Sequence, residues 1–269
     1  MSRKFKPKTP EIMIDFGRCT QKILRDAVNL SFAGTGIFCY FFSMNQDIVL
    51  LNKNARILGL ALNNQQLAQF DVYKQELLQW NAKTNLISEN SSGEIITRHF
   101  LDSLTAWQFI QKPNARIIDV GCGAGFPGIP LKIALPSLEL YLLESNRKKV
   151  SFLKHMIRLL NISTAHVLHD RVENILQTDA WNEKFDIVIS RATFKLDKLL
   201  ALSEFFLAPE GRLIALKGPN VSQEFKQCSL ASNPYKISQL IQHDIEAVFL
   251  EAPRKIIIGK KEDFSKKTF

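Results

Sequence analysis

The 269-residue sequence has only four cysteines, Cys19, Cys39, Cys122 and Cys228, and no two of them form a Cys-x-x-Cys pair. That spacing excludes a zinc ribbon and a disulfide framework, so no metal is expected. It also points to a reducing compartment, taken to be the cytoplasm. Long apolar runs are missing as well. The run from Leu30 to Phe42 falls short of the roughly 20 residues a spanning helix needs, and no membrane partner is expected. It follows a basic stretch, as a signal or transit peptide would. However, Glu11, Asp15 and Asp26 interrupt that stretch, and no small-residue cleavage site follows. The simpler expectation is that Met44 is the true start, with residues 1–43 a separate appendage of unassigned role or a translated upstream stretch. There is no internal repeat and no low-complexity tract. Acidic residues are in deficit, giving a net charge of +9 and a pI near 9.4. The basic excess gathers at Arg3, Lys4, Lys6 and Lys8 and again at Arg254, Lys255, Lys260, Lys261, Lys266 and Lys267. Solvated tails and contact with a polyanion both fit this distribution.

The apolar pattern divides the rest of the chain. Leu67, Phe70, Tyr73, Leu77 and Trp80 recur at intervals of three or four, which predicts an amphipathic helix from Asn64 to Trp80. Asn63 or Asn64 can cap its start. A second helix is predicted over Glu94–Phe109, closed by Lys112-Pro113-Asn114. Short runs apolar throughout then appear at Arg116–Val120, Leu138–Leu143, Ala165–Leu168, Phe185–Ile189 and Arg212–Leu216. Segments of helical period separate them at Gly128–Leu135, Arg147–Leu160 and Leu196–Leu207. Alternating strand and helix, with strands apolar on both faces, predict an α/β domain built on a doubly wound, mostly parallel sheet. Two last runs, Tyr235–Ile241 and Arg254–Ile258, predict an antiparallel pair at its end. The expected organisation is an appendage at 1–43, a helical section at 44–112, an α/β domain at 113–260 and a basic tail at 261–269.

The first strand runs straight into Gly121-Cys-Gly-Ala-Gly125. Alternate glycines let the backbone turn sharply and approach a ligand where a β-carbon would collide. Pro127 and Pro130 then open a helix, where missing amide hydrogens cost little. A dinucleotide fingerprint would need glycine at 126, and that residue is Phe126. Gly-x-Gly-x-Gly followed by a bulky residue suits a nucleoside without a pyrophosphate, with Gly121, Gly123 and Gly125 as the cradle. The second strand ends at Glu144, about 20 residues past the loop, where a carboxylate can accept both ribose hydroxyls. After the third strand, Asp170-Arg-Val-Glu173 offers a backbone amide and a side chain that could read an adenine edge. Glu173 as a helix-start carboxylate complementing the dipole fits equally well.

The fourth strand ends in Ser190-Arg191-Ala192. Enzymes that methylate exocyclic amines usually carry Asn/Asp-Pro-Pro-Tyr/Phe at this point, and those that attack cytosine carbon-5 use a cysteine, commonly after proline. Neither pattern is present. An acceptor needing neither device, such as guanine N7, is favoured, because its lone pair requires no base. If the nucleoside is that of S-adenosylmethionine, Arg191 could hold its methionine carboxylate or orient a base, or simply pair with a carboxylate. Candidate RNA-facing residues around this rim are Arg98 and His99, then Arg147, Lys148 and Lys149, and finally Lys217. The three cations at 147–149 open a helix, where they do not complement the dipole. His99 has no companion at metal-ligand spacing.

Four ordered motifs carry a resemblance. These are Thr97-Arg-His-Phe-Leu-Asp-Ser103, Ile118-Asp-Val-Gly-Cys-Gly-Ala-Gly-Phe-Pro-Gly-Ile-Pro130, Val188-Ile-Ser-Arg-Ala192 and Ala215-Leu-Lys-Gly218. From about Met44 to Lys260 the chain resembles the bacterial small-subunit rRNA methyltransferase G family, also called glucose-inhibited division protein B. The resemblance implies a class I methyltransferase fold with an N-terminal helical addition and S-adenosylmethionine as cofactor. It implies N7 methylation of a guanine in 16S rRNA near the decoding site, with the rRNA or the small ribosomal subunit as partner and a monomeric enzyme. By position it puts cofactor contacts on Gly121, Phe126, Val172, Glu173 and Arg191. Glu144 stands where the family would have Asp, a change that preserves ribose binding, and residues 1–43 have no counterpart. Two other readings stay open: a methyltransferase acting on a protein or small molecule, and an RNA-binding assembly factor without turnover.

Overall fold

The computed structural model describes residues 46–88, 92–230 and 235–263. The appendage at 1–43 and residues 264–269 of the basic tail lie outside the described residues. Two helices come first, α1 (Gln46–Ile57) and α2 (Asn64–Thr84). The start of α2 is a reciprocal cap: Gln66 N donates to Asn63 Oδ1 at 2.9 Å and Asn63 N to Gln66 Oε1 at 2.8 Å. Two otherwise orphaned amides are satisfied together. Asn85, at φ 50°, caps the helix in the left-handed region, and the last helical residue, Thr84, lies four beyond the predicted Trp80.

A helical stretch, here α3, follows in three pieces: α-helical Ser92–Glu94, π-helical Ile95–Leu101 and α-helical Asp102–Leu104. The wider π-helical turn carries Arg98 and His99. A 3-10 turn, Trp107–Phe109, leads into the sheet. The strands are β1 (Arg116–Val120), β2 (Glu139–Glu144), β3 (Ala165–His169), β4 (Phe185–Arg191), β5 (Leu207–Lys217), β6 (Ile237–Ile245) and β7 (Arg254–Lys261). Between them lie α4 (Gly128–Ala134), α5 (Arg147–Leu159), the short α6 (Val172–Ile175), α7 (Leu196–Phe206) and α8 (Ser222–Leu230).

The strand order is β3-β2-β1-β4-β5-β7-β6. Strands β1 to β5 are parallel, and β7 enters antiparallel between β5 and β6. In the central strands β1, β2 and β4 side chains alternate between two buried faces, which is why these strands read as apolar runs; β3, at the edge, is half-exposed. One face presents Ile118, Val120, Leu143, Val188 and Ala215 to Leu199, Leu200 and Phe206 of α7. The other presents Leu140 and Leu142 to α4, α5 and the amino-terminal helices, and Ile117, Ile189, Ile214 and Ile256 to Leu131 and Ala106. The chain order reverses between β1 and β4, so the crevice at their carboxyl ends is the switch point where ligands gather in such sheets. Among the described residues, no helix is long and apolar enough to cross a membrane.

Candidate active site

The glycine loop leaves the end of β1 and is fixed from three sides. Gly121 N and Cys122 N both donate to Leu143 O of β2, at 2.9 and 3.2 Å. Tyr73 of α2 donates its hydroxyl to Ala124 O at 2.6 Å, its ring stacked on Phe100 and Phe126. Glu144 closes the third side: Oε2 accepts from Gly123 N at 2.9 Å and Oε1 from Asn146 N at 2.7 Å. Gly121, Gly123 and Gly125 have φ of 71°, 60° and 103°, a region side chains resist. Space adds to the demand at two of them. A Cβ on Gly121 would lie 2.6 Å from Thr193 Cγ2, and one on Gly125 2.6 Å from Ile129 Cδ1. At Gly123 it would meet only Lys149 Nζ, at 3.8 Å, because that glycine faces open space.

That open space is a cavity of about 650 Å³. Of the predicted cofactor residues, Gly121, Gly123, Phe126, Glu144, Val172, Glu173 and Arg191 all line it. Gly125 does not; it is turned inward against Ile129 and Tyr73. Glu173 ion-pairs with Lys198 at 2.8 Å, and that hydrogen bond holds its carboxyl below the usual range. Burial first, then the neighbouring Asp119 and Glu144 carboxylates, push the Cys122 thiol well up, so it stays protonated and unreactive. The residues fit an S-adenosyl group on two counts. The glycine cradle has room at Gly123 only because no Cβ fills it, and each Glu144 oxygen keeps a second lone pair for a ribose hydroxyl.

Arg191 forms the far wall. Its Nη1 donates to Asp102 Oδ2 at 3.1 Å and to Arg98 O at 2.9 Å, and its Nη2 meets His99 Nδ1 at 2.7 Å. Its guanidinium carbon lies 4.9 Å from the centre of the Phe126 ring. Asp102 is fully buried and also accepts from Arg254 Nε at 2.6 Å. Carboxylate pairing and placement at the cavity, set against each other in the sequence reading of Arg191, thus coexist.

Two of the expected RNA-facing residues are corrected as phosphate contacts. His99 is buried, its ring stacked on Phe126 at 4.6 Å and 13°, and it lines an inner cavity shared with Arg98, Asp102 and Arg191. Lys217 is also buried; its ammonium donates to Phe194 O and pairs with Glu224 Oε2 at 3.4 Å. That ammonium is spent on a backbone carbonyl and a carboxylate of its own chain. Lys149 lines the cofactor cavity, while Arg147 and Lys148 are exposed beside it and Arg98 is partly exposed. Sequence reasoning gave no role to Tyr73, Asp102 or Asp119. Asp119 Oδ2 accepts from Gly128 N at 2.8 Å, capping α4 from the neighbouring strand where Pro127 cannot. The signal for Asp119 was a charged residue inside an otherwise apolar strand; Asp102, among Arg98, His99 and Ser103, carried none.

A mostly parallel sheet, a glycine loop after β1, a carboxylate closing β2 and an antiparallel β7 beside β5 define a class I methyltransferase. The fold is shared with a predicted O-methyltransferase of Agrobacterium tumefaciens, at a TM-score of 0.50 and 20% identity over 61% of this chain and 81% of that one. Residues 66–253 match the model of the family described as rRNA small subunit methyltransferase G, and the chain belongs to that family. The ribosomal RNA small subunit methyltransferase G of Syntrophus aciditrophicus is 42% identical over 189 residues, 70% of this chain and 78% of that protein. That of Desulforamulus reducens is 35% identical over 222 residues, covering 81% and 91%. S-adenosylmethionine is the cofactor of such a site.

Proposed function

We propose that this chain methylates N7 of a guanine in 16S rRNA near the decoding site. In this reading it works in the cytoplasm as a monomer, on the rRNA or the small ribosomal subunit. The observation that carries the reading is a shared wall. Arg191 closes the cofactor cavity on one side and lines a second cavity on the other. Bound S-adenosylmethionine supplies an electrophilic methyl group on its sulfonium. Guanine N7 carries an in-plane lone pair, so its attack needs no prior loss of a proton.

The residues at the junction suit placement rather than base catalysis. Ser190 Oγ donates to Val120 O at 2.9 Å, tying the end of β4 to the end of β1. Thr193 Oγ1 donates to Gly121 O at 3.1 Å and to Arg191 O at 3.0 Å. Both hydroxyls are committed to backbone, and Cys122 is protonated. What remains is a rigid frame that fixes two reactants in line, worth several orders of magnitude in rate.

The test is primer extension on 16S rRNA after chemical cleavage at N7-methylguanine. One stop should vanish when the gene is deleted, return with the wild-type gene and fail to return with Arg191→Ala. A stop that persists in the deletion strain refutes the assigned substrate. Label passing from tritiated cofactor into protein instead of rRNA would favour a protein acceptor.

A further inference from the structure

The second cavity, about 480 Å³, lies beyond Arg191 on the side away from the glycine loop. It sits over the carboxyl ends of β4 and β5, which Arg191 and Leu216 mark. The pairing of Leu216 with Ile256 and of Lys217 with Lys255 puts the start of β7 at the same end. Helix α3 and the connection between β6 and β7 enclose it, contributing Arg98 and Asp102 from one and Phe249 and Glu251 from the other. Its volume is within the range of about 300–1,000 Å³ typical of small-ligand sites.

We propose that this cavity receives the target guanine base, with Glu251 reading its Watson–Crick edge and Arg191 its O6. The proposal rests on the rRNA reading above and names the pocket and residues behind its base choice. On a purine, N7 and O6 share one edge, and N1–H and the 2-amino group lie on another. A base whose N7 points past Arg191 toward the cofactor cavity therefore brings O6 next to Arg191. Its N1–H and N2–H then turn toward the β6–β7 connection.

The cavity offers matching groups at both ends. Three N–H bonds of Arg191 are engaged by Asp102, Arg98 O and His99; its Nε–H and one Nη2–H have no partner among the described residues. Glu251 is 60% exposed and gripped by Arg98 in a two-point pair, Nε to Oε1 and Nη2 to Oε2, each 2.9 Å. That grip orients the carboxylate, and each oxygen retains a lone pair. The lone pairs left by that fork diverge, so one of them accepts one donor, the 2-amino N–H of guanine. Adenine would turn its N1 lone pair toward the same carboxylate and leave it unpaired. Phe249 and Leu216 supply apolar surface for the faces of the base.

The experiment compares small-subunit rRNA carrying guanosine at the mapped target with rRNA ligated to carry inosine there. Inosine lacks only the 2-amino group. Wild-type kcat/KM should fall about tenfold or more on inosine, the usual cost of one hydrogen bond to a charged group. With Glu251→Ala, activity on guanosine should drop to that level and the guanosine-to-inosine ratio should approach 1. Cofactor affinity by calorimetry should stay unchanged, since Glu251 lies outside the cofactor cavity. Equal wild-type rates on the two RNAs, or a variant that keeps the full preference, would overturn the pocket assignment alone. Absence of any N7-methylguanine in rRNA treated with wild-type enzyme would overturn the underlying reading, and the pocket with it.

Discussion

Asp119 sits in β1 with no exposed surface, and burial drives its carboxyl from 3.8 up to about 7. Only Oδ2 is bonded, to Gly128 N; Oδ1 has no hydrogen-bond partner among the described residues. A raised folded pKa means that the native state binds the proton more tightly than the unfolded chain. Stability from this group is therefore greatest below about pH 4, is lost as pH rises toward 7, and levels off above that. The full swing is on the order of 4 kcal/mol. Asp119→Asn keeps an acceptor for Gly128 N and cannot ionise. The difference in unfolding free energy between variant and wild type should grow by a few kcal/mol between pH 5 and pH 8 in denaturant titrations. A difference that stays constant across that range would mean the carboxyl titrates normally.

At the scale of elements, one carboxylate ties three of them. Asp102 joins α3 to the end of β4 through Arg191 and to the start of β7 through Arg254. Asp102→Ala would leave two partly buried guanidiniums facing each other, at a cost of about 3 kcal/mol or more. The melting temperature should drop by several degrees, and cofactor affinity should fall with it because Arg191 loses its anchor. Unchanged melting would show that the arginines are held by other contacts.

This tie was invisible in the sequence, because it is made by residues far apart whose pairing depends on tertiary placement. Strands β1, β2 and β4 were legible to within two residues because burial on both faces leaves continuous apolar runs, and the half-exposed edge strand β3 because Ala165, Val167 and Leu168 are apolar. The loop and Glu144 were legible because their relation is one of short, fixed spacing. Helix α1 was not, because Val49, Leu50 and Ile57 are exposed while Asn54 is buried, and the helical period is blurred. Helix α8 is largely polar, and the start of β5 holds Pro209 and Gly211, residues that read as a loop. Lys217 and Arg147 look alike as letters beside a predicted cavity. Only the packing around Lys217 turns its ammonium inward.

For the whole molecule, the question is where a net charge of +9 acts. Arg147 and Lys148 open α5 beside the cofactor cavity and are exposed. The helix does not need them, since Asn146 Oδ1 already accepts from Lys148 N and Lys149 N at 3.0 and 3.3 Å. Cations at an amino terminus oppose the helix dipole, so removing them should leave folding stability unchanged or slightly higher. On the rRNA reading, the anion they meet is the phosphate backbone. Each phosphate contact releases condensed counterions, so binding weakens with salt by a slope of about 0.7–0.9 per contact in a log–log plot. Replacing both residues by alanine should weaken rRNA binding at low salt and make that slope shallower by about 1.4–1.8. Cofactor affinity and melting temperature should hold. A slope identical to wild type would place the RNA on another face of the protein.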